Sequence, residues 1–414
     1  MIKSSTTTHY SAVVPFYVYA ALCFLISSVI LFYNHKNFTG PYFQPSILAL
    51  THLMALGWGT MIILGASHQL IPVLIERSLF SEKLAYLSFA TAATGIPLLV
   101  YNFYYFHLGL GAQAGGILIN IAVITFLVNF IMSIANDKND NIHSIFIFTA
   151  GLWLLITTLF GLLLLFNFTS NILPSGSLTY LSLHAHFGIA GWFLLLIIGV
   201  ASRLIPMFLI SKYTNKPLLK IIFYLINAGL LFFIFNFNFE LNLTFIPIVF
   251  ISVAVVLFIF YCYKTYSERI RKKVDNPVKL SLSSVVISVI PIIILCTTLG
   301  FKQHQNVVAY GFCIFFGWIT SIILGMTFKT LPFIIWNKAY KNNRVKGNNL
   351  DPKNLFSQLN FNFMFIAYLA AFIIFITGIF LLSNLLLQTG AFFMIIAAIF
   401  YNLNVFKMLS HKVK

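Results

Sequence analysis

The chain has 414 residues, of which 60% are hydrophobic and only 8% are Asp, Glu, Lys or Arg; a soluble globular protein carries roughly 25% charged residues. That balance excludes a soluble enzyme, a disordered chain and a nucleic-acid binder, even at a formal net charge of +17. The positive charge falls between apolar segments, where it orients a membrane protein rather than gripping phosphates. Cys23, Cys262, Cys296 and Cys313 lie scattered in apolar stretches without a C-x-x-C spacing, and they read as small buried hydrophobes.

A helix crosses a bilayer with about 20 apolar residues. Twelve such spans are predicted, near 15–33, 45–73, 83–102, 110–135, 143–168, 178–210, 217–238, 243–264, 280–300, 306–335, 359–382 and 386–407. The second, sixth and tenth are longer than a bilayer requires and are expected to tilt or project. The first reads as a helix that stays in place rather than a removed leader. Lys36 and Lys302 are the only basic residues in the odd-numbered connections. Even-numbered connections and the termini hold nearly all the others, including Arg269, Arg271, Lys272, Lys273, Arg344 and Lys346. By the positive-inside rule both termini face the cytoplasm of a bacterial inner membrane. The expectation is an all-α integral membrane protein, one membrane domain over 1–414, with the lipid bilayer as its partner and no nucleic acid.

An internal repeat organises the spans. His52 to Pro72 reads H-L-M-A-L-G-W-G-T-M-I-I-L-G-A-S-H-Q-L-I-P, and His186 to Pro206 reads H-F-G-I-A-G-W-F-L-L-L-I-I-G-V-A-S-R-L-I-P. Phe312 to Pro332 reads F-C-I-F-F-G-W-I-T-S-I-I-L-G-M-T-F-K-T-L-P. In each, Gly stands seven and Pro fourteen residues after the Trp, and Trp58, Trp192 and Trp318 are 134 and 126 residues apart. Each interval holds four spans. The predicted architecture is therefore three pseudo-threefold units of four helices, at about 1–138, 139–275 and 276–414. Residues seven apart on a regular helix share one stripe, and a small residue on it admits a neighbouring helix closely; the Trp–Gly–Pro stripe reads as packing.

His52 and His186 occupy one repeat position, six before the Trp and about 120° from that stripe at 100° per residue. Phe312 stands there in the third repeat, and two residues earlier the repeats carry Leu50, His184 and Tyr310. Ionisable or metal-binding side chains at membrane depth are functional candidates by default. His9, His35, His107, His143 and His411 fall in loops, tails or helix ends and read as solvated surface, and His304 as interfacial. His68 lies sixteen residues beyond His52, about 24 Å along a helix axis, so the two share no metal. His184 and His186 are about 200° apart and face different neighbours. His52 and His186, at one depth, are candidates to converge, and neutral imidazole suits haem iron or copper.

Other chemistry is sparse. All eight acidic residues (Glu76, Glu82, Asp137, Asp140, Glu240, Glu268, Asp275, Asp351) fall outside the span interiors. Arg203 and Lys329 share the repeat position held by Gln69 and are expected to snorkel towards water. No phosphate-binding glycine motif occurs.

With T-H-L-M-A-L-G-W at 51–58 and L-H-A-H-F-G-I-A-G-W at 183–192, the chain resembles subunit I of the haem–copper oxidases, with the NnrS-type haem and copper membrane proteins as a related branch. The resemblance in architecture covers essentially the whole chain, and in motif three windows of some 25 residues. It implies a haem-binding protein in which His52 matches an axial ligand of the low-spin haem and His184 or His186 a copper ligand. Haem b is the implied cofactor and copper a second one, with Tyr310 as a further cofactor-binding residue and respiratory-chain or c-type cytochrome subunits as partners. The pattern departs from the family at three places. The seventh span, 217–238, has no His, Tyr310-Gly311-Phe312 replaces an H-x-H on the tenth, and the W-H-A-H-E pattern of the NnrS branch is missing. The implied role is respiratory electron transfer, or nitric oxide or oxygen handling, without a standard proton-pumping oxidase centre. A transporter, or a cofactor-free assembly subunit, is the alternative class; a transporter of two inverted halves would repeat every six helices rather than every four.

Overall fold

The computed structural model describes residues 8–75, 78–134, 141–300, 303–341 and 351–411. Among them twelve helices are long and apolar enough to cross a membrane. They are α1 (Tyr10–Tyr33), α2 (Pro45–Pro72), α3 (Glu82–Tyr104), α4 (Leu110–Ile134), α5 (Ile142–Ser170) and α6 (Ser177–Leu209), followed by α7 (Lys216–Asn238), α8 (Phe245–Ser267), α9 (Asn276–Thr298), α10 (His304–Lys338), α11 (Gln358–Phe380) and α12 (Asn384–Leu409). Each predicted span lies on one of these helices, its ends moved by five residues or fewer. Glu76, Asp137, Asp140, Lys302, Arg344 and Lys346 lie outside the described residues.

The helix surfaces suit a lipid surround. Ile117, Ile121, Ile124, Val128 and Ile131 recur every three or four residues along α4 and are all exposed, while Ala112, Ile119, Ala122, Phe126 and Phe130 on its other side are buried. Helices α2, α6 and α10 are the most buried of the twelve.

Those three helices carry the repeat into the backbone. Each widens from α to π geometry, with i→i+5 hydrogen bonding, around its Trp: Leu53–Thr60 in α2, Phe187–Leu194 in α6 and Cys313–Ile319 in α10. The glycine seven residues after each Trp meets the preceding helix of its own repeat. A Cβ on Gly65 would strike Phe16 of α1, one on Gly199 Phe146 of α5, and one on Gly325 Ser281 of α9. In the first repeat the Trp58 ring also stacks on Phe24 of α1, with centroids 4.7 Å apart. The stripe packs helices, as its small residues require.

A further correspondence is invisible in the motif. Asn129 of α4 accepts from the Ser81 amide (3.0 Å) and donates to the Ser81 carbonyl (2.9 Å). Asn404 of α12 treats Ser357 in the same way, at 2.9 and 3.1 Å. Ser81 and Ser357 in turn cap α3 and α11 with their hydroxyls.

Close contacts divide the chain into two compact units. The first comprises the described parts of 70–275 together with 288–300. In it α3 and α4 form a hairpin, α5 lies along α4 and α6, α7 pairs with α8, and the second half of α9 touches α8. The α3–α4 crossing is close because Gly95 and Gly115 face each other's backbone. The second unit comprises 8–69, 276–287 and the described parts of 301–411. Here α1 lies along α12 and the π turn of α2, α11 and α12 form the hairpin, and the first half of α9 packs on α10. Helix α9 breaks at Ser288, the boundary between its two contributions.

Candidate functional site

The repeat position that carries His52, His186 and Phe312 has a fixed place in the backbone. Each of these residues is the last α-helical residue before the π turn of its helix. π turns inside α-helices are rare and frequently mark functional sites. The wider turn winds less per residue, so the 120° that uniform α geometry gives between His52 and Trp58 does not hold.

His52 lies in the second unit and His186 in the first, and the two rings are held alike. His52 Nδ1 bonds the Leu48 carbonyl at 2.8 Å, and His186 Nδ1 bonds the Ser182 carbonyl at 2.7 Å. A carbonyl only accepts, so the ring hydrogen sits on Nδ1 and the lone pair on Nε2. That is the tautomer in which a neutral imidazole ligates a metal, with a backbone carbonyl orienting the ring and raising its basicity.

His184 and His186 go to different neighbours, as their spacing predicts. The His184 ring lies on Gly161 of α5, so close that a Cβ on Gly161 would sit 2.7 Å from its Cε1. The His186 ring meets Phe233 of α7 edge-on at 5.3 Å. Tyr310 is half-buried on α10. Phe312 closes a ring stack with Phe316, Phe372 and Phe375 at 5.2, 5.9 and 4.5 Å, and meets Phe38 edge-on at 6.4 Å. At the third repeat, protein fills the equivalent place. Among the described residues no three or more His, Cys, Asp or Glu side chains are grouped to hold a metal ion.

Five other expectations change. His35, read from sequence as solvated, is buried with Nδ1 at 2.7 Å from the Phe32 carbonyl, and Cys296, read as a buried hydrophobe, is exposed. His143, read from sequence as solvated, is half-buried, with Nδ1 at 3.0 Å from both the Gly199 carbonyl and the Ser202 hydroxyl of α6. Lys329, expected to snorkel, is only 6% exposed, whereas Arg203 at the matching position is exposed. The charge of Lys329 also reaches Asp351, whose carboxyl is held below its ordinary range, first by the Lys353 amide hydrogen bond. His68, expected to bond Gln69 or a loop, is buried against Phe16 with ring centroids 5.5 Å apart, and its carbonyl accepts from the Thr8 hydroxyl at 2.7 Å.

Comparison of the chain with protein-family models and with curated proteins finds no match.

Proposed function

We propose that this chain is a haem-binding integral membrane protein of the haem–copper-oxidase-like fold, working in respiratory electron transfer or in nitric oxide or oxygen handling. One observation carries the reading: His52 and His186 stand at the same place before a π turn, each with Nδ1 tied to the carbonyl four residues earlier. Each imidazole would serve as a b-type haem ligand through Nε2, and the group would supply one-electron redox chemistry. The carbonyls of Leu48 and Ser182 fix the ring tautomers and strengthen both imidazoles as ligands. His184, against Gly161, shapes the neighbouring wall rather than binding iron. Copper has no part in this proposal, because an oxidase copper centre takes three His together and the described residues hold no such group. Both termini face the cytoplasm in this reading, and other respiratory-chain or c-type cytochrome subunits exchange electrons with the haem.

The test is the absorption spectrum of the purified protein. A Soret band and a sharp reduced α-band are expected in the wild type. His52→Ala or His186→Ala abolishes or greatly weakens them, and His68→Ala leaves them unchanged. A colourless wild type, or a spectrum that depends on His68 and not on His52, refutes the proposal. The ring stack at Phe312 favours the second reading, a cofactor-free structural or transport protein, in which all three equivalent places are filled by protein. The colourless wild type is its expected result.

A further inference from the structure

The first unit has one strongly basic rim. Residues 211–220, between α6 and α7, carry three lysines and no acid. Residues 264–275, at the end of α8 and beyond it, carry five Lys or Arg against Glu268 and Asp275. The turns at the other ends of these helices and their neighbours (105–109, 171–176 and 239–244) hold no Lys or Arg at all. The cations are concentrated, not scattered.

The two basic segments are also built into one surface. Ser211 and Arg269 pair as an antiparallel bridge. The Ile270 amide donates to the Ile210 carbonyl at 3.2 Å, and the Arg271 amide to the Leu209 carbonyl at 3.3 Å. Ile210 holds φ at 52°, a left-handed conformation that a β-branched residue adopts only when its surroundings impose it. Both guanidiniums are fixed by the protein. Arg269 lies over the Tyr266 ring at 3.9 Å and donates to the Tyr266 carbonyl at 2.7 Å. Arg271 donates to the Phe208 carbonyl at 3.3 Å and stands 3.8 Å from Asp275. Around these fixed cations Lys212, Lys216, Lys272 and Lys273 are exposed.

Apolar side chains lie next to this rim. Met207, Ile210, Ile221, Tyr266 and Ile270 are between 39% and 61% exposed at the helix ends that carry the cations. Cations bordering an open apolar surface match a ligand that is anionic at one end and hydrocarbon at the other. A soluble nucleotide or polyanion would use the cations and leave those side chains in water. We propose that the rim formed by 207–220 and 264–273 is a binding surface for anionic phospholipid, its lysines and arginines facing the headgroup phosphate and Met207, Ile210 and Ile270 the acyl chains. Clustered basic residues at the ends of membrane helices attract anionic headgroups at roughly fivefold in affinity per Lys or Arg.

Native mass spectrometry of the full-length protein in detergent tests this, with phosphatidylglycerol and phosphatidylcholine of identical acyl chains as probes. The wild type should take up phosphatidylglycerol in preference by more than about twenty-five-fold, the worth of two lysines. Lys212→Gln, Lys272→Gln and Lys273→Gln together, all at exposed positions, should bring the preference close to unity. Lys36→Gln, also exposed but in the second unit, should not change it. Equal uptake of the two lipids by the wild type overturns the proposal, as does a triple variant that keeps the preference. Displacement of phosphatidylglycerol by excess inorganic phosphate overturns the lipid assignment too, because the rim would then be reading a free anion.

Discussion

The indole N–H of Trp58 donates to the hydroxyl of Thr320 at 3.0 Å, and that hydroxyl donates in turn to the Phe315 carbonyl at 2.6 Å. The bond joins the π turn of α2 to the end of the π turn of α10 within one unit. Thr320 reaches back five residues with its side chain, so it satisfies a carbonyl that ordinary α spacing would give to a backbone amide. A double-mutant cycle with Trp58→Phe and Thr320→Val should return a coupling of about 0.6–1.7 kcal/mol, the range of interhelical hydrogen bonds within membranes. Denaturant unfolding in mixed micelles measures it, and a coupling indistinguishable from zero would mean that the contact contributes nothing to stability.

The same π turn is held from α11. Tyr368 places its hydroxyl 2.9 Å from the Phe316 carbonyl and 2.6 Å from that of Gly317. Tyr368→Phe keeps the ring and strips both carbonyls of this partner, so it should cost about 1–3 kcal/mol. The same unfolding assay reads this cost. A neutral result would show that other groups can take over both acceptors.

Glycine substitutions should separate by place. Gly199→Ala drives a methyl group into Phe146 and should lower both the yield of folded protein and its melting temperature, by roughly the 1–3 kcal/mol of an overpacked core. Gly176→Ala, where a Cβ meets nothing within 4 Å, should be silent. Equal effects at the two positions would count against the packing role of the stripe.

Orientation can be read with reporter fusions. A fusion after Lys273 should report the cytoplasm, and one placed within 171–176 the opposite side. A reversal would place the histidines at the other membrane face and remove the depth argument that selected them.

Dioxygen turnover should be missing. A haem–copper centre takes one axial His and three copper His beyond the two that hold a low-spin haem, whereas the interiors of the predicted spans offer only His52, His68, His184 and His186. Oxygen consumption with a reduced quinol or cytochrome donor should fall far below that of a known oxidase under the same conditions. Comparable cyanide-sensitive turnover would mean that an active centre is built from other residues.

The twelve helices were readable because hydropathy is a property of each segment by itself, and the repeat because three Trp–Gly–Pro frames survive in register. The π turns were not readable. Leu53–Thr60 is apolar like the α segments around it, and part of what holds such a turn open, as Tyr368 of α11 does in α10, comes from elsewhere in the chain. His143 was misread for a similar reason: it stands at a helix start, and its partners Gly199 and Ser202 are 56 and 59 residues away. Lys329 followed the general habit of long cations near helix ends, and its burial depends on packing that the sequence does not display. At the candidate site the residues could be named from the repeat, but the bonds of His52 and His186 to the carbonyls four residues earlier required coordinates.

The second unit takes its first two helices from residues 8–69 and the rest from beyond residue 275. A ribosome making about 5–20 residues per second therefore delivers Thr320 some 13 to 52 s after Trp58, given the 262 residues between them. During that interval α1 and α2 are in the bilayer without α10 or α12, while residues 288–300 complete the first unit. Trp58, fully buried at the end, has only lipid, α1 or a chaperone to face in the meantime. A truncation ending before residue 276 keeps all of the first unit but 288–300 and removes every later helix of the second, so the first two helices should be the part that proteases and quality control detect.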